Sequence, residues 1–349
     1  MGNMDTTHTL VEANIKQALR ELPKAHLHLH LFGSCPRSLW DQVSGDDPVW
    51  RANTRGDHLI GFDSFYARCK STIRDRIPMR DLVLGIAQQS VEEGCRWVEL
   101  SISVTGRSAE YVHDTMSSVD EASRRTGLAI GVVFSIGRSD SEEQIASALR
   151  HYETYKPYGA VGIGVVGPES PGQLARLTDM ILRADLDPEM LIVPHAGEVN
   201  GSEDVYDALQ MGPQRIAHGI GAVDNEMMIQ MLVNADVCLD VAISSNECMG
   251  TVSPGEHPLP RLLEAGVPCT INSDDGLLFG TDLVNEYVKA SQLGVSMDQL
   301  ARCARWSVEY SAAPDHIRAS TLEEISAWEH RWLDQEGAAP LAVGAVSSR

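Results

Sequence analysis

Histidine, glutamate and aspartate occur at a few places in this chain where their spacing could hold a metal ion and move protons. His28 and His30 stand two apart in KAHLHLHL (24–31), and His195 and Glu198 close LIVPHAGE (191–198). His218 lies in RIAHGIG (215–221), and Asp274 and Asp275 end VPCTINSDD (267–275). Residues two apart on a strand share a face, so His28 and His30 project together while Leu27, Leu29 and Leu31 take the opposite side. Two neutral imidazoles on one face are half of a metal site. His195 and Asp274 would complete a three-nitrogen, one-oxygen set suited to zinc, with room for a water. His26 shares the face one step deeper and reads as a hydrogen-bonded interior residue, ligation being the alternative. A zinc ion would bring the pKa of its water towards neutrality. Glu198 is then free to protonate a ring nitrogen and accept a proton in turn. His218 can orient or deprotonate the water, and Asp275 can hold the substrate. The set suits hydrolytic attack on an electrophilic carbon.

These residues are useful only if the elements carrying them converge. Eight short apolar runs rich in β-branched residues punctuate the chain: 24–31, 96–104, 128–136, 160–167, 191–198, 215–221, 237–245 and 267–275. Segments of helical periodicity lie between them, such as 80–94, 141–155 and 225–235. Eight strand–helix alternations predict a parallel sheet with right-handed crossovers, closed as a (β/α)8 TIM barrel whose mouth collects the C-terminal strand ends. The rival doubly wound sheet would want a GxGxxG turn, which is absent; GIGVVG at 162–167 reads as a tight strand end. Residues 32–79, with Trp40, Trp50, Phe62 and Phe65, form a long excursion after the first strand and are expected to make a lid. Residues 1–336 read as a single barrel domain, and 337–349 as a frayed tail.

Composition narrows the partners. The 349 residues carry 49 Asp and Glu against 28 Lys and Arg, a net charge of −21. With no basic run, a nucleic acid or an anionic membrane surface is not expected to bind. Seven scattered cysteines without a CxxC argue against a disulfide scaffold or a thiolate zinc knuckle. The absence of a signal-like start or a spanning apolar stretch gives cytoplasmic location as the expectation. The acidic balance, with no Arg or Lys clamp evident at the mouth, suggests a neutral small substrate in preference to a nucleotide phosphate.

The segments PKAHLHLHLFGS (23–34), HAGE (195–198), RIAHGI (215–220), SSN (244–246), EHPLPRLLEAGVP (256–268) and INSDDGLLFGTDL (271–283) resemble the metal-dependent adenosine deaminases of the amidohydrolase superfamily. The resemblance runs in order over roughly residues 20–310. It implies a (β/α)8 barrel with one zinc per chain, held by His28, His30, His195 and Asp274. It also implies that Glu198 protonates purine N1, His218 assists the hydroxide, Asp275 accepts from the N7 side and the Gly167 backbone contacts N3. The products would be a 6-oxopurine and ammonia. His30, Ser103, Phe32, Phe62 and Phe65 join Gly167 and Asp275 as the substrate-facing set; Phe62 and Phe65 resemble the family's apolar cover, with packing of their own helix as the other reading.

Four positions depart from the family pattern. Phe32 stands where an acid usually follows the second histidine and binds the ribose 5′-hydroxyl. A ring cannot accept that bond, so a substrate without a free 5′-hydroxyl, or one that is not a simple nucleoside, is expected. Ser101 replaces a frequent arginine, Gly164 a frequent acid, and Gly276 the proline after the aspartate pair. Other readings are a superfamily hydrolase of another amino-heterocycle or cyclic amide, and a degenerate barrel that only binds. Two-metal hydrolases need a bridging lysine near the end of the fourth strand, which AVGIGVVG lacks. Deaminases of flipped nucleotides use HxE with PCxxC, where this chain has HxxE and Asn272 in place of the second cysteine after Pro268-Cys269.

Overall fold

The computed structural model describes residues 2–45, 62–183 and 187–336. The eight apolar runs form eight parallel strands: β1 (Lys24–His30), β2 (Cys95–Ser103), β3 (Ala129–Gly137), β4 (Ala160–Val166), β5 (Leu191–Ala196), β6 (Arg215–His218), β7 (Cys238–Val241) and β8 (Cys269–Ile271). They pair in sequence order, and a bridge between Leu29 and Asp274 joins the last segment to the first. The expected TIM barrel is what the chain builds. The helices expected at 80–94, 141–155 and 225–235 occupy Met79–Glu92, Glu142–Tyr155 and Glu226–Ala235.

Local chemistry sets these boundaries. Ser141 and Gln144 form a reciprocal capping box that opens Glu142–Tyr155, and the Asn225 side chain accepts from Met227 and Met228 to open Glu226–Ala235. Leu27, Leu29 and Leu31 are buried against the helices, as alternation requires. Lys24, at the start of β1, is buried, and its ammonium donates to the carbonyls of Leu19, Leu22 and Glu93, tying the first helix (Gly2–Glu21) to the barrel.

The barrel interior is not wholly apolar. Fully buried Arg215 donates to Asp240 at 2.9 Å, to Glu99 at 2.5 Å and to the Tyr310 carbonyl at 2.6 Å. Thr270 donates to the other oxygen of Asp240, and Trp97 and the Ala312 amide donate to Glu99. The two carboxylates and the guanidinium satisfy one another across β2, β6 and β7, the condition under which buried charge is tolerated. Glu99 shares the inward face of β2 with Ser101 and Ser103, so this network underlies the mouth.

All seven cysteines are free thiols. Among the described residues no helix is long and apolar enough to cross a membrane. Of the excursion after β1, residues 46–61, with Trp50, lie outside the described residues, as do the Phe62 side chain and the tail from 337; Trp40 is buried.

Candidate active site

The strand ends bring His28, His30, His195 and Asp274 together, one potential donor atom from each lying within 4.8 Å of the others. His30 Nε2 is 3.3 Å from His195 Nε2 and 3.1 Å from Asp274 Oδ1, and His28 Nε2 is 3.3 Å from the same oxygen. A tetrahedron with arms of about 2.0–2.1 Å has edges of roughly 3.3–3.4 Å, so these donors are spaced as ligands of one small ion. His28 Nε2 is buried without an aligned hydrogen bond. Borderline nitrogen donors with one carboxylate suit zinc.

Asp274 is not on β8, which ends at Ile271. Nor does Glu198 lie on β5, which ends at Ala196. Both follow their strands in turns, a displacement of two or three residues from the strand ends expected from sequence. Asp274 adopts φ +57°, and its amide and carbonyl pair with His28 and His30 of β1. Ser245 donates to its outer oxygen at 2.8 Å. His218 also has a left-handed backbone, φ +64°. Arg215 faces inward, so strict alternation would turn His218 away; the left-handed turn brings its ring to the mouth. Two of the three non-glycine residues with positive φ among the described residues thus belong to the site, where such strain concentrates.

Buried Asp275 adjoins the set, and its Oδ1 has no hydrogen-bond partner. Burial, followed by the charge of Asp274, raises its carboxyl above the ordinary range. A Cβ on Gly33 would fall 1.6 Å from that oxygen, so glycine at 33 lets the chain after β1 pass close to it.

Protonation states follow from burial. Desolvation, with Asp274 and Glu169 adding to it, pushes Glu198 up to about 8, so it holds a proton near neutrality. Desolvation and His28 bring His218 down to about 3, leaving a neutral imidazole. Its tautomer is fixed by a chain of partners. The Leu259 amide donates to His257 Nδ1, so the proton of neutral His257 sits on Nε2, which donates to Asn246 Oδ1 at 3.1 Å. Asn246 Nδ2 then donates to His218 Nδ1 at 3.3 Å. The His218 proton is left on Nε2, 3.6 Å from Glu198 Oε2. His26 is confirmed as an interior residue, its Nε2 accepting from the Ser273 amide at 3.1 Å.

The site opens into a cavity of about 700 Å³ whose lining includes Phe32, Ser101, Ser103, Gly167, Glu198, His218 and Asp275. Ser64, Tyr66 and Lys70 of the helix Phe62–Arg76 also line it. Phe65 does not; it is buried in the core, because its neighbours Ser64 and Tyr66, not it, fall on the helix face turned to the cavity. The expectation of a mouth without Lys or Arg is likewise corrected by Lys70, which the helix carries one turn beyond Tyr66. A second crevice of similar volume, around Arg20, Gln89 and Asp282, touches none of the four metal-set residues.

Sequence reasoning overlooked the frame behind HAGE. Glu169 accepts the amides of Glu198, Val199 and Asn200 at 2.8, 2.8 and 2.6 Å. Buried Arg138 forms a bidentate pair with Asp204 at 2.9 and 2.5 Å and donates to the His195 carbonyl at 2.6 Å. No local pattern marks residues so far apart in sequence. Asn246 and His257, by contrast, lie in motifs that stand out but carry no evident role until the fold joins them. Arg138→Met strips Asp204 of its counter-charge inside the protein; denaturant unfolding should show a stability loss of about 3–5 kcal/mol.

A parallel barrel with three imidazoles and a carboxylate at its mouth, a protonated carboxyl alongside, defines a metal-site hydrolase. The family model described as "Adenosine deaminase" matches residues 23–328, and the chain belongs to that family, whose members hydrolyse C–N bonds. It is 33% identical over 330 residues to a putative adenosine/adenine deaminase of Streptomyces virginiae, covering 88% of this chain and 96% of the relative. It is 28% identical over 362 residues to the aminodeoxyfutalosine deaminase of Streptomyces coelicolor, covering 95% and 92%. The fold resembles the crystal structure of an adenine deaminase from Arthrobacter aurescens, with TM-score 0.77, 24% identity and coverage of 88% and 99%.

Proposed function

We propose that the protein is a zinc-dependent hydrolytic deaminase that converts a 6-aminopurine nucleoside, adenosine or a 5′-modified derivative, to the 6-oxopurine and ammonia. The observation that carries this reading is the four-donor set with the largely buried Glu198 carboxyl beside it and His218 Nε2 3.6 Å from that carboxyl. A zinc ion held by His28, His30, His195 and Asp274 would supply an activated water at neutral pH.

The chain's own residues divide the remaining work. As the water adds to C6, Glu198 gives its proton to N1, which lets charge leave the ring. Once ionised, it takes a proton from the added oxygen and delivers it to the amino group, which departs as ammonia. It recovers the last hydroxyl proton as the carbonyl forms, so the enzyme returns to its starting state. His218, with its proton on Nε2, orients the water and stabilises charge on its oxygen by donating, instead of serving as the base. Asp275, its carboxyl raised by burial, donates its proton in a hydrogen bond to N7, the Gly167 backbone faces N3, and His30, Ser103 and Phe32 complete the pocket walls. Ammonia release from a panel of 6-aminopurines tests the reading.

Phe32 limits the substrate. Lining the cavity without a polar atom, it cannot receive a 5′-hydroxyl. We expect 5′-deoxy and 5′-thio adenosines to be used more efficiently than adenosine, and Phe32→Asp to move the preference towards adenosine by roughly tenfold or more in kcat/KM. A wild-type preference for adenosine contradicts this assignment. The cavity is larger than a free base requires, which favours a nucleoside.

A further inference from the structure

Asn246 is fully buried between the two residues that handle protons, and its side-chain amide is spent on them. Oδ1 accepts from His257 Nε2 at 3.1 Å, while Nδ2 lies 3.3 Å from His218 Nδ1 and 3.4 Å from Glu198 Oε1. The two hydrogens of Nδ2 thus serve two acceptors at once. The direction of this chain is set by a main-chain group. The Leu259 amide can only donate, and it donates to His257 Nδ1 at 3.2 Å, so the His257 proton sits on Nε2. A flipped Asn246 would press its Nδ2 hydrogens against that proton. Only one orientation of the amide is satisfied, and it is the one that donates to both His218 and Glu198.

The effect on Glu198 matches the effect on His218. An un-ionised carboxyl accepts best through its carbonyl-type oxygen, so the bond from Asn246 makes Oε1 that oxygen and leaves the acid proton on Oε2. His218, accepting at Nδ1, keeps its own proton on Nε2. Oε2 and Nε2 are 3.6 Å apart, beyond hydrogen-bond reach, as befits two donors that face one space without bonding each other. Glu198 and His218 line the cavity, whereas Asn246 and His257 do not, so the latter pair acts through the former. Resting on the aminopurine deaminase reading, we infer that Asn246 is a positioning residue that sets both protons, on Glu198 Oε2 and on His218 Nε2, and that His257 fixes its orientation from the Leu259 main chain.

The test reads the tautomer apart from the activity. In the zinc-loaded full chain with isotopically labelled histidine nitrogens, proton–nitrogen correlation spectra should show His218 bare at Nδ1 and protonated at Nε2, its signals identified by their loss in His218→Gln. Asn246→Asp keeps the shape and the bond from His257 but turns an acceptor towards His218, so the proton should move to Nδ1. With it, kcat and kcat/KM should fall together by roughly 10²–10⁴-fold while KM stays in place. His257→Gln, whose amide nitrogen can replace Nε2 as the donor, should retain the wild-type tautomer and most of the activity. His257→Leu should show both tautomers and an intermediate loss of kcat, a contrast with the glutamine variant that general loss of structure cannot produce. Wild-type His218 protonated at Nδ1, a tautomer unmoved by Asn246→Asp, or a tautomer that moves while kcat does not, overturns the inference and leaves the deaminase reading intact. No ammonia from any aminopurine with the wild-type protein overturns both, whatever the tautomer.

Discussion

Glu198→Gln is expected to lower kcat/KM by about 10²–10⁴-fold, the usual contribution of a positioned acid–base group. The amide keeps the shape and can still meet a hydrogen bond from Asn246, but it has no proton to give a ring nitrogen. The wild-type pH profile carries the same information. A carboxyl whose pKa is raised is protonated below that pKa, so activity should fall on the alkaline side as Glu198 ionises. Burial and Asp274 push that ionisation up to about 8, and a cation at the neighbouring ligands, by offsetting Asp274, moves the limb lower. Rates measured from pH 5 to 10 should show this limb in the wild-type protein and lose it in Glu198→Gln. An unchanged alkaline limb in the variant would assign it to another group.

The second large effect concerns Asp274. Burial works against its charge, yet the facing imidazoles of His28 and His30 outweigh it and hold the carboxyl well below the usual range. Asp274→Asn preserves the volume and the backbone pairing with β1 while removing the negative oxygen ligand. Zinc affinity should fall by more than about 100-fold, and activity at limiting zinc should fall with it. The thermal midpoint of the wild-type protein should rise with added zinc, since an ion that binds only the folded state stabilises it; in the variant this response should shrink or vanish. Titration calorimetry and thermal unfolding with and without chelator check both statements.

Much of this site is legible in the sequence because period and position agree. His28 and His30 declare a shared strand face, and the eight runs declare the barrel that gathers His195 and Asp274. What cannot be read is geometry that breaks the period. The left-handed backbone at His218 and Asp274 redirects both side chains, and no residue pattern announces it. The supports of Glu198 come from Glu169, Arg138 and Asp204, brought together by crossovers, not by spacing. The helix Phe62–Arg76 shows the same limit on a smaller scale. Its aromatic residues suggest a cover, but which face turns to the cavity depends on tertiary packing. Phe65 therefore goes to the core, while Tyr66 and Lys70 line the pocket.

The measurement closest to the central claim combines metal analysis with ammonia release. Purified full-length protein should contain one zinc per chain and release ammonia from at least one 6-aminopurine nucleoside, with a matching 6-oxopurine product. Chelation should abolish release and added zinc restore it. Stoichiometric zinc with no ammonia from any aminopurine nucleoside would contradict the account.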